Sequence, residues 1–395
     1  MKEGWTYKTL GQLSSITAGQ GAPQGEDNYC HDGTPFIKAA NLVDLVKGYS
    51  EYSFQQVSDQ TAKKFRLKLF RAGSVIFAKS GMSCMKGWVY VLKNDCYVVS
   101  HLAVVSPNGI NSRFLHYYLQ FSRPNSLVKD AAFPSISLKD IENLIVPDLP
   151  KEEQEEIVER LDAAFAQIDE LKSNAEKQLA EARALFQSAL TQAMQPKPGW
   201  QEKRIKEIAD VKGGKRVPKG YKLQSTKTNH PYIRVADFNN YGTIEMSDIQ
   251  YISDDIFEQI KNYTITDKDL YVSIAGTIGK TGIIPSKLNG ANLTENACKL
   301  VFKEDINLRF VYLFTLSEIF KKQVEKATKQ ASQPKLALTR LAEIKMSIPS
   351  ISEQQTIVAQ LDALSNRIRD LEEISRKTAA ECDALKQALL RQIFE

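Results

Sequence analysis

Two kinds of hydrophobic pattern alternate along the chain. One consists of short apolar runs such as "GSVIFA", "CYVVSHLAVV" and "DLYVSIAG", separated by Gly, Pro and Asn turns. Runs of that length, rich in Val, Ile and Tyr, predict strands of a compact mixed domain, with helices around Arg113–Phe121 and Asp254–Lys261. The other kind contains no Gly or Pro at all between Lys151 and Gln195, or between Ser352 and Glu395. There Ile157, Leu161, Ala164, Ile168, Leu171, Ala175, Ala182, Leu185 and Ala189 fall on alternating steps of three and four. Ile357, Leu361, Leu364, Ile368, Leu371, Ser375, Cys382, Leu385 and Leu389 repeat that phase. Such a repeat predicts two coiled-coil helices, each roughly 65 Å long at 1.5 Å per residue. Ser352 with Gln355 three positions on has the form of a capping box for the second. The matched phases favour pairing of the two helices with each other, although each packing only on its own domain would also satisfy the pattern.

The order of these patterns is duplicated. "GWTYKTLGQLSSITAG" from Gly4 returns as "GWQEKRIKEIADVKGG" from Gly199, and "TPFIKAANL" from Thr34 as "HPYIRVADF" from His230. "RFLHYYL" from Arg113 returns as "RFVYLFT" from Arg309, and "LPKEEQEEIVERLDA" from Leu149 as "SISEQQTIVAQLDA" from Ser350. Two long copies imply a pseudo-twofold molecule, since a solenoid needs many short units. The expected organisation is a head at 1–150, a helix at 151–196, a second head at 197–350 and a second helix at 351–395.

Composition adds bounds. The 395 residues are too many for one ordinary core, and the charged fraction of 25% and net charge of +5 fit a mildly basic globular protein. Five scattered cysteines, none in a CxxC pair, argue against a disulfide framework and for a reducing cytoplasm. The four histidines lack metal-ligand spacing, and "MKEGWTYKTL" lacks the apolar stretch of a signal peptide. No apolar run is long enough to span a bilayer.

Two stretches look like catalytic signatures. "AGTIGKTG" at 275–282 contains GKT, but a phosphate-binding loop needs glycine five positions before Gly279, where Ile274 stands. Pro147–Asp148 followed by Glu170-Leu171-Lys172 mimics a nuclease PD…ExK site. Glu170 and Lys172 flank a seam position, however, about 30 Å along a helix from Asp148, too far to share a metal. No Asn/Asp-Pro-Pro-aromatic segment, GxSxG or HExxH occurs.

The duplicated helix openings, "LPKEEQEEIVERLD" and "SISEQQTIVAQLD", and the duplicated Gly4–Trp5 and Gly199–Trp200 resemble the specificity (S) subunit of type I restriction-modification systems over essentially the whole chain. One departure is that "LPKEEQ" lacks the second proline more often found near the glutamate. The resemblance implies an α+β fold: two pseudo-twofold-related target-recognition domains, each followed by a long helix, the helices pairing as an antiparallel coiled coil. It implies a non-catalytic subunit that binds a bipartite double-stranded DNA target, with two methyltransferase subunits and restriction/translocase subunits as partners. S-adenosylmethionine, and ATP with Mg²⁺, would then sit on those partners and no cofactor on this chain. A scaffold whose heads bind proteins is the alternative.

Candidate DNA contacts follow from matched positions. Gly81 and Gly87 of "SGMSCMKGWV" match Gly276 and Gly282, giving each copy a G-x5-G turn after a strand, with Lys79, Lys86, Lys280 and Thr281 beside it. Such turns allow close backbone approach to phosphate, though many are plain hairpin connections. Lys38 and Asn41 match Arg234 and Asp237, residue types that prefer different base edges. "AAFPSISLKD" and "QASQPKLALTR" supply Ser135, Ser137, Gln333 and Lys335. Lys63, Lys64 and Arg66 form a basic cluster suited to positioning backbone.

Overall fold

A computed structural model describes residues 2–303, 305–328 and 334–395. The chain folds as two units with the same plan: one comprises the chain up to Ala175 together with Ser375–Glu395, the other Glu176–Ile374. The first long helix, Lys151–Ala193, and the second, Ile351–Phe394, each divide between the units.

Each head carries a four-stranded antiparallel sheet. Its strand order in the first unit is Ser14–Ala18, Leu102–Pro107, Val75–Ala78, Val89–Val91; in the second it is Ala209–Gly213, Ala297–Phe302, Leu270–Ser273, Thr281–Ile283. A smaller mixed sheet follows the same repeat. Thr34–Ile37 runs parallel to Tyr97–Val98 in one unit, and His230–Ile233 parallel to Ala291–Leu293 in the other. The central strands Val75–Ala78 and Leu270–Ser273 are buried at every position, as continuous apolar runs require. The repeated glycines of "ITAG" and "VKGG" have a common cause. A Cβ on Gly19 would lie 2.1 Å from the Val98 carbonyl oxygen, and one on Gly214 2.1 Å from that of Thr294.

Each helix is rooted in its head by the glutamine of the duplicated opening. Gln154 is 3% exposed; its Oε1 accepts from the Asn111 N–H at 2.7 Å and its Nε2 donates to the Leu149 carbonyl at 2.8 Å. Gln354 is 2% exposed and repeats both bonds, from Asn307 N–H at 2.9 Å and to the Pro349 carbonyl at 3.0 Å. Asn111 and Asn307 are the N-caps of Ser112–Ser122 and Leu308–Leu316, so the same amide joins two helix starts. Eight residues on, Asp162 pairs with Arg113 at 2.6 Å and Asp362 with Arg309 at 2.7 Å. The cap of the second long helix is Ser350, whose Oγ accepts from the Glu353 N–H at 3.3 Å, and not Ser352, which lies inside the first turn.

The helices run antiparallel within each unit. In the first, Val158 and Leu161 share a core with Leu390, Ile393 and Phe394 from the end of the second long helix. There Asp169 pairs with Lys386 at 2.6 Å and Lys172 with Asp383 at 3.5 Å. In the second, Ile357 and Leu361 share a core with Phe186, Leu190 and Met194, and Arg183 pairs with Glu372 at 2.6 Å.

The seam matches the heptad reading at its start and departs from it later. Leu161, Ile168, Ile357 and Leu361 are buried, while Ile157, Leu364, Ile368 and Leu389 pack at the edge of the cores and Leu371 is half-buried. Leu171, Leu185 and Leu385, expected in the seam, are 56%, 60% and 49% exposed. Cys382 is buried as the repeat expects, while Phe186, Leu190 and Ile393 are buried where the repeat does not place them. A straight helix drifts about 20° per heptad against a strict seven-residue repeat, so after several heptads the buried stripe moves by nearly one residue.

Phe394 closes the first core, with rings of Trp5, Phe114 and Tyr118 at 6.2, 5.7 and 5.3 Å. Phe394→Ala removes a large side chain that is 3% exposed, and is expected to destabilise the first unit by about 3–5 kcal/mol. Calorimetry should show the transition of that unit lowered and that of Glu176–Ile374 unmoved.

Candidate nucleic-acid interface

In both units the two segments singled out for groove contact are brought together by backbone hydrogen bonds. In the first, Ser80 and Ser135 form an antiparallel bridge; Gly81 N–H donates to the Pro134 carbonyl at 3.0 Å and Ile136 N–H to the Lys79 carbonyl at 2.7 Å. In the second, Ala275 bridges Lys335, and Leu336 N–H donates to the Ile274 carbonyl at 2.9 Å. The sheet therefore ends in a double loop built from residues more than fifty positions apart in sequence.

The first loop rises on Gly81 at φ +76°, makes a short 3₁₀ turn over Met82–Lys86, and closes on Gly87 at φ +66°. Buried Cys84 anchors the turn, so its other side chains face outward. In the second unit the strand pairing sets Val272 opposite Thr281, as it sets Phe77 opposite Val89. Left-handed Gly279, at φ +82°, thus occupies the place of Gly87. Gly282 lies inside Thr281–Ile283, packed 2.3 Å (as a Cβ) from the Gly242 carbonyl oxygen. The matched spacing of Gly87 and Gly282 in sequence conceals a shorter second loop.

The candidate side chains divide sharply. Lys79 and Lys86 flank the first loop without an ion-pair partner among the described residues, Lys86 being exposed. Ser135 and Lys335 are exposed on the second strand of their loop pairs. Lys63 and Lys64 end the helix Asp59–Lys64, and exposed Arg66 adopts φ +53° just after it. Lys64 donates to the Asn28 side chain at 3.2 Å. This cluster is a solvated positive surface on the same unit.

Other candidates are committed to internal contacts. Asn41 and Asp237 are equivalent caps, accepting from Lys38 N–H at 2.8 Å and Arg234 N–H at 2.7 Å. Asp237 is 4% exposed and also holds the Arg234 guanidinium at 2.6 Å, with Asp248 on the same group at 3.0 Å. Hydrogen bonding to Asp237 keeps that guanidinium above even its ordinary pKa. Lys38 donates to Gln55 at 2.5 Å. Lys280 donates to the Phe238 carbonyl, and Thr281 is 4% exposed with its hydroxyl on Thr315 at 2.6 Å. Ser137 caps Leu138–Glu142, accepting from Asp140 N–H at 3.0 Å. Asp237, Thr281, Lys280 and Ser137 are thus each held by an internal hydrogen bond; at Asp237 and Ser137 the short side chain satisfies a nearby backbone N–H. Gln333 lies outside the described residues.

Two residues of this surface were not singled out by the sequence. Phe133 is 81% and Met82 69% exposed, at the tips of the two bridged segments. A phenylalanine immediately before proline in a polar loop was the available signal. The nuclease-like residues are dispersed: Asp148 pairs with Lys8 at 2.8 Å, and Lys172 with Asp383. Among the described residues no His/Cys/Asp/Glu group could hold a metal, and no helix is long and apolar enough to cross a membrane.

Sheet-end double loops that repeat in position and differ in residue, mounted on long antiparallel helices, define a class of duplicated recognition proteins. Comparison with known proteins identifies the class. The family model described as the type I restriction modification DNA specificity domain matches residues 2–181 and again 197–381, and the chain belongs to that family. The EcoBI specificity subunit of Escherichia coli is 22% identical over 99% of this chain and 86% of its own length. The MjaVIII specificity subunit of Methanocaldococcus jannaschii is 24% identical over 90% and 88%. The MjaIX subunit of that organism is 27% identical over 52% of this chain, which spans 46% of that relative's length. Among solved structures, a chain of a type I R-M system studied for complex assembly and conformational transition aligns at TM-score 0.77, with 18% identity, over 100% of this chain and 98% of its own. The HsdS subunit of Thermoanaerobacter tengcongensis aligns at 0.55, with 18% identity, over 100% and 97%.

Lys79→Ala and Lys86→Ala should each weaken binding to duplex DNA and lower the slope of log affinity against log salt by about one. Thr281→Val, whose hydroxyl faces the core, should leave that slope unchanged. Salt titrations of affinity by fluorescence anisotropy would check both.

Proposed function

We propose that this chain reads a bipartite, asymmetric sequence in double-stranded DNA and directs partner subunits to it, taking no catalytic step itself. The observation that carries the reading is the pair of double loops: the same bridge of two distant segments at the sheet end of both heads, presenting Lys79, Met82, Lys86 and Ser135 in one and Thr277 and Lys335 in the other. Equal frames with unequal side chains are what two readers of different half-sites need, since base identity is read by donor, acceptor and methyl patterns.

In this reading methyl transfer belongs to two methyltransferase subunits that bring S-adenosylmethionine, and cleavage to restriction/translocase subunits that use ATP with Mg²⁺, all in the cytoplasm. This chain holds none of those cofactors. The two long helices fix the gap between the half-sites and offer the partners a rigid surface.

A map of methylated bases in the host genome, with and without this gene, tests the reading. Loss of one split motif on deletion is the expected result. An unchanged map, together with no salt-dependent duplex binding by the purified chain, would favour a protein-binding scaffold. Inserting one heptad into each long helix should lengthen the preferred gap by about 10 Å, close to 3 bp. Selection of bound DNA by the lengthened chain would show it.

A further inference from the structure

The two double loops differ in one systematic way. The antiparallel bridge of Ser80 with Ser135, and the bond from Gly81 to Pro134, leave Met82 and Phe133 next in line on the two segments, each two positions from the bridge. Both are apolar and both project into solvent, at 69% and 81% exposure. At the matched positions the second copy has Thr277 after Gly276, and Gln333 before Pro334. In sequence, two apolar residues of the first copy thus stand where the second has polar ones, Gln333 lying outside the described residues.

The apolar pair is held out by its neighbours. Cys84 and Pro134 are buried on either side, Ile136 is 3% exposed, and the Ala132 N–H donates to Asp130 at 2.8 Å. Proline fixes the backbone directly after Phe133 and restricts Phe133 itself to extended conformations. Met85 adds a third apolar side chain, 38% exposed, and Lys79 and Lys86 stand at the two ends of the turn. An aromatic and a thioether flanked by free ammonium groups suit a polyanion that also offers apolar surface, which duplex DNA does only between its stacked bases and at thymine methyls.

We propose that Phe133 and Met82 form a wedge that enters a base step of the half-site read by the first unit. Lys79 and Lys86 hold the phosphates on either side. The wedge unstacks the step, so this unit favours a flexible pyrimidine–purine step at that position. The inference rests on the DNA-reading function proposed above.

The test is selection from random duplex DNA by the full chain, as wild type, Phe133→Ala, Met82→Ala and Phe133→Trp, followed by binding of the selected site with 2-aminopurine at each position. Wild type should enrich two half-sites, one with a pyrimidine–purine step whose 2-aminopurine fluorescence rises on binding. Phe133→Ala should abolish the rise and bind about ten-fold more weakly, with the preference at that step lost and the other half-site unchanged. Phe133→Trp should retain the rise. If both half-sites are enriched but no position brightens, or Phe133→Ala keeps the signal, the wedge is refuted while DNA reading stands. If replacing thymine by deoxyuridine costs as much as Phe133→Ala and no step brightens, the pair contacts methyl groups and the wedge is likewise refuted. If nothing is enriched, the DNA-reading function itself fails, and the wedge with it.

Discussion

A buried side-chain amide at the root of each long helix is the constraint on which the rest of the architecture depends. Gln154 and Gln354 each tie a helix start to the cap of a shorter helix in the head, and each is almost wholly removed from water. A buried amide left unsatisfied costs about 1–3 kcal/mol, so the junction tolerates little departure from this geometry. The Asp162–Arg113 and Asp362–Arg309 pairs, about two turns later, fix the direction in which the helix leaves. With root and direction set, the first turns of each helix are obliged to join the head core through Leu161 or Leu361. The duplicated "EQ…LD" of the sequence is therefore the signature of a joint.

Much of this plan was legible because it rests on periodicity and duplication, which survive in a single sequence. The strands around Val75–Ala78 and Leu270–Ser273, the glycines at 19 and 214, and the two long helices are each announced by pattern. What misled was position within a pattern. A seven-residue repeat names Leu185 and Leu385, but a straight helix turns away from that repeat, and Phe186 and Ile393 are buried. Equal glycine spacing aligned Gly87 with Gly282, whereas strand register aligns it with Gly279.

The site was legible by segment and much less by residue. The segments around Lys79–Lys86 and Ser135, and around Ala275 and Lys335, do converge. Polar identity could not say which way a side chain points: Asp237 and Thr281 look like readers and are buried, while Phe133 looks like core and is exposed. At a sheet end a short polar residue is drawn to the nearest unsatisfied backbone group. A bulky apolar one is left outside when proline and a bridge fix the chain around it.

The ion pairs between the long helices carry a further meaning. In the first unit Lys172 of the first helix meets Asp383 of the second; in the second unit Arg183 of the first meets Glu372 of the second. In the duplicated sequence Lys172 corresponds to Glu372 and Arg183 to Asp383. Each helix has thus kept one sign of charge at both places and its mate the other. A helix laid antiparallel against a copy of itself would set Lys172 beside Arg183, or Glu372 beside Asp383, and gain repulsion where the native pair gains attraction. Two halves that arose as duplicates are no longer interchangeable: each is made for the other, and an assembly of like with like is opposed by its own charges.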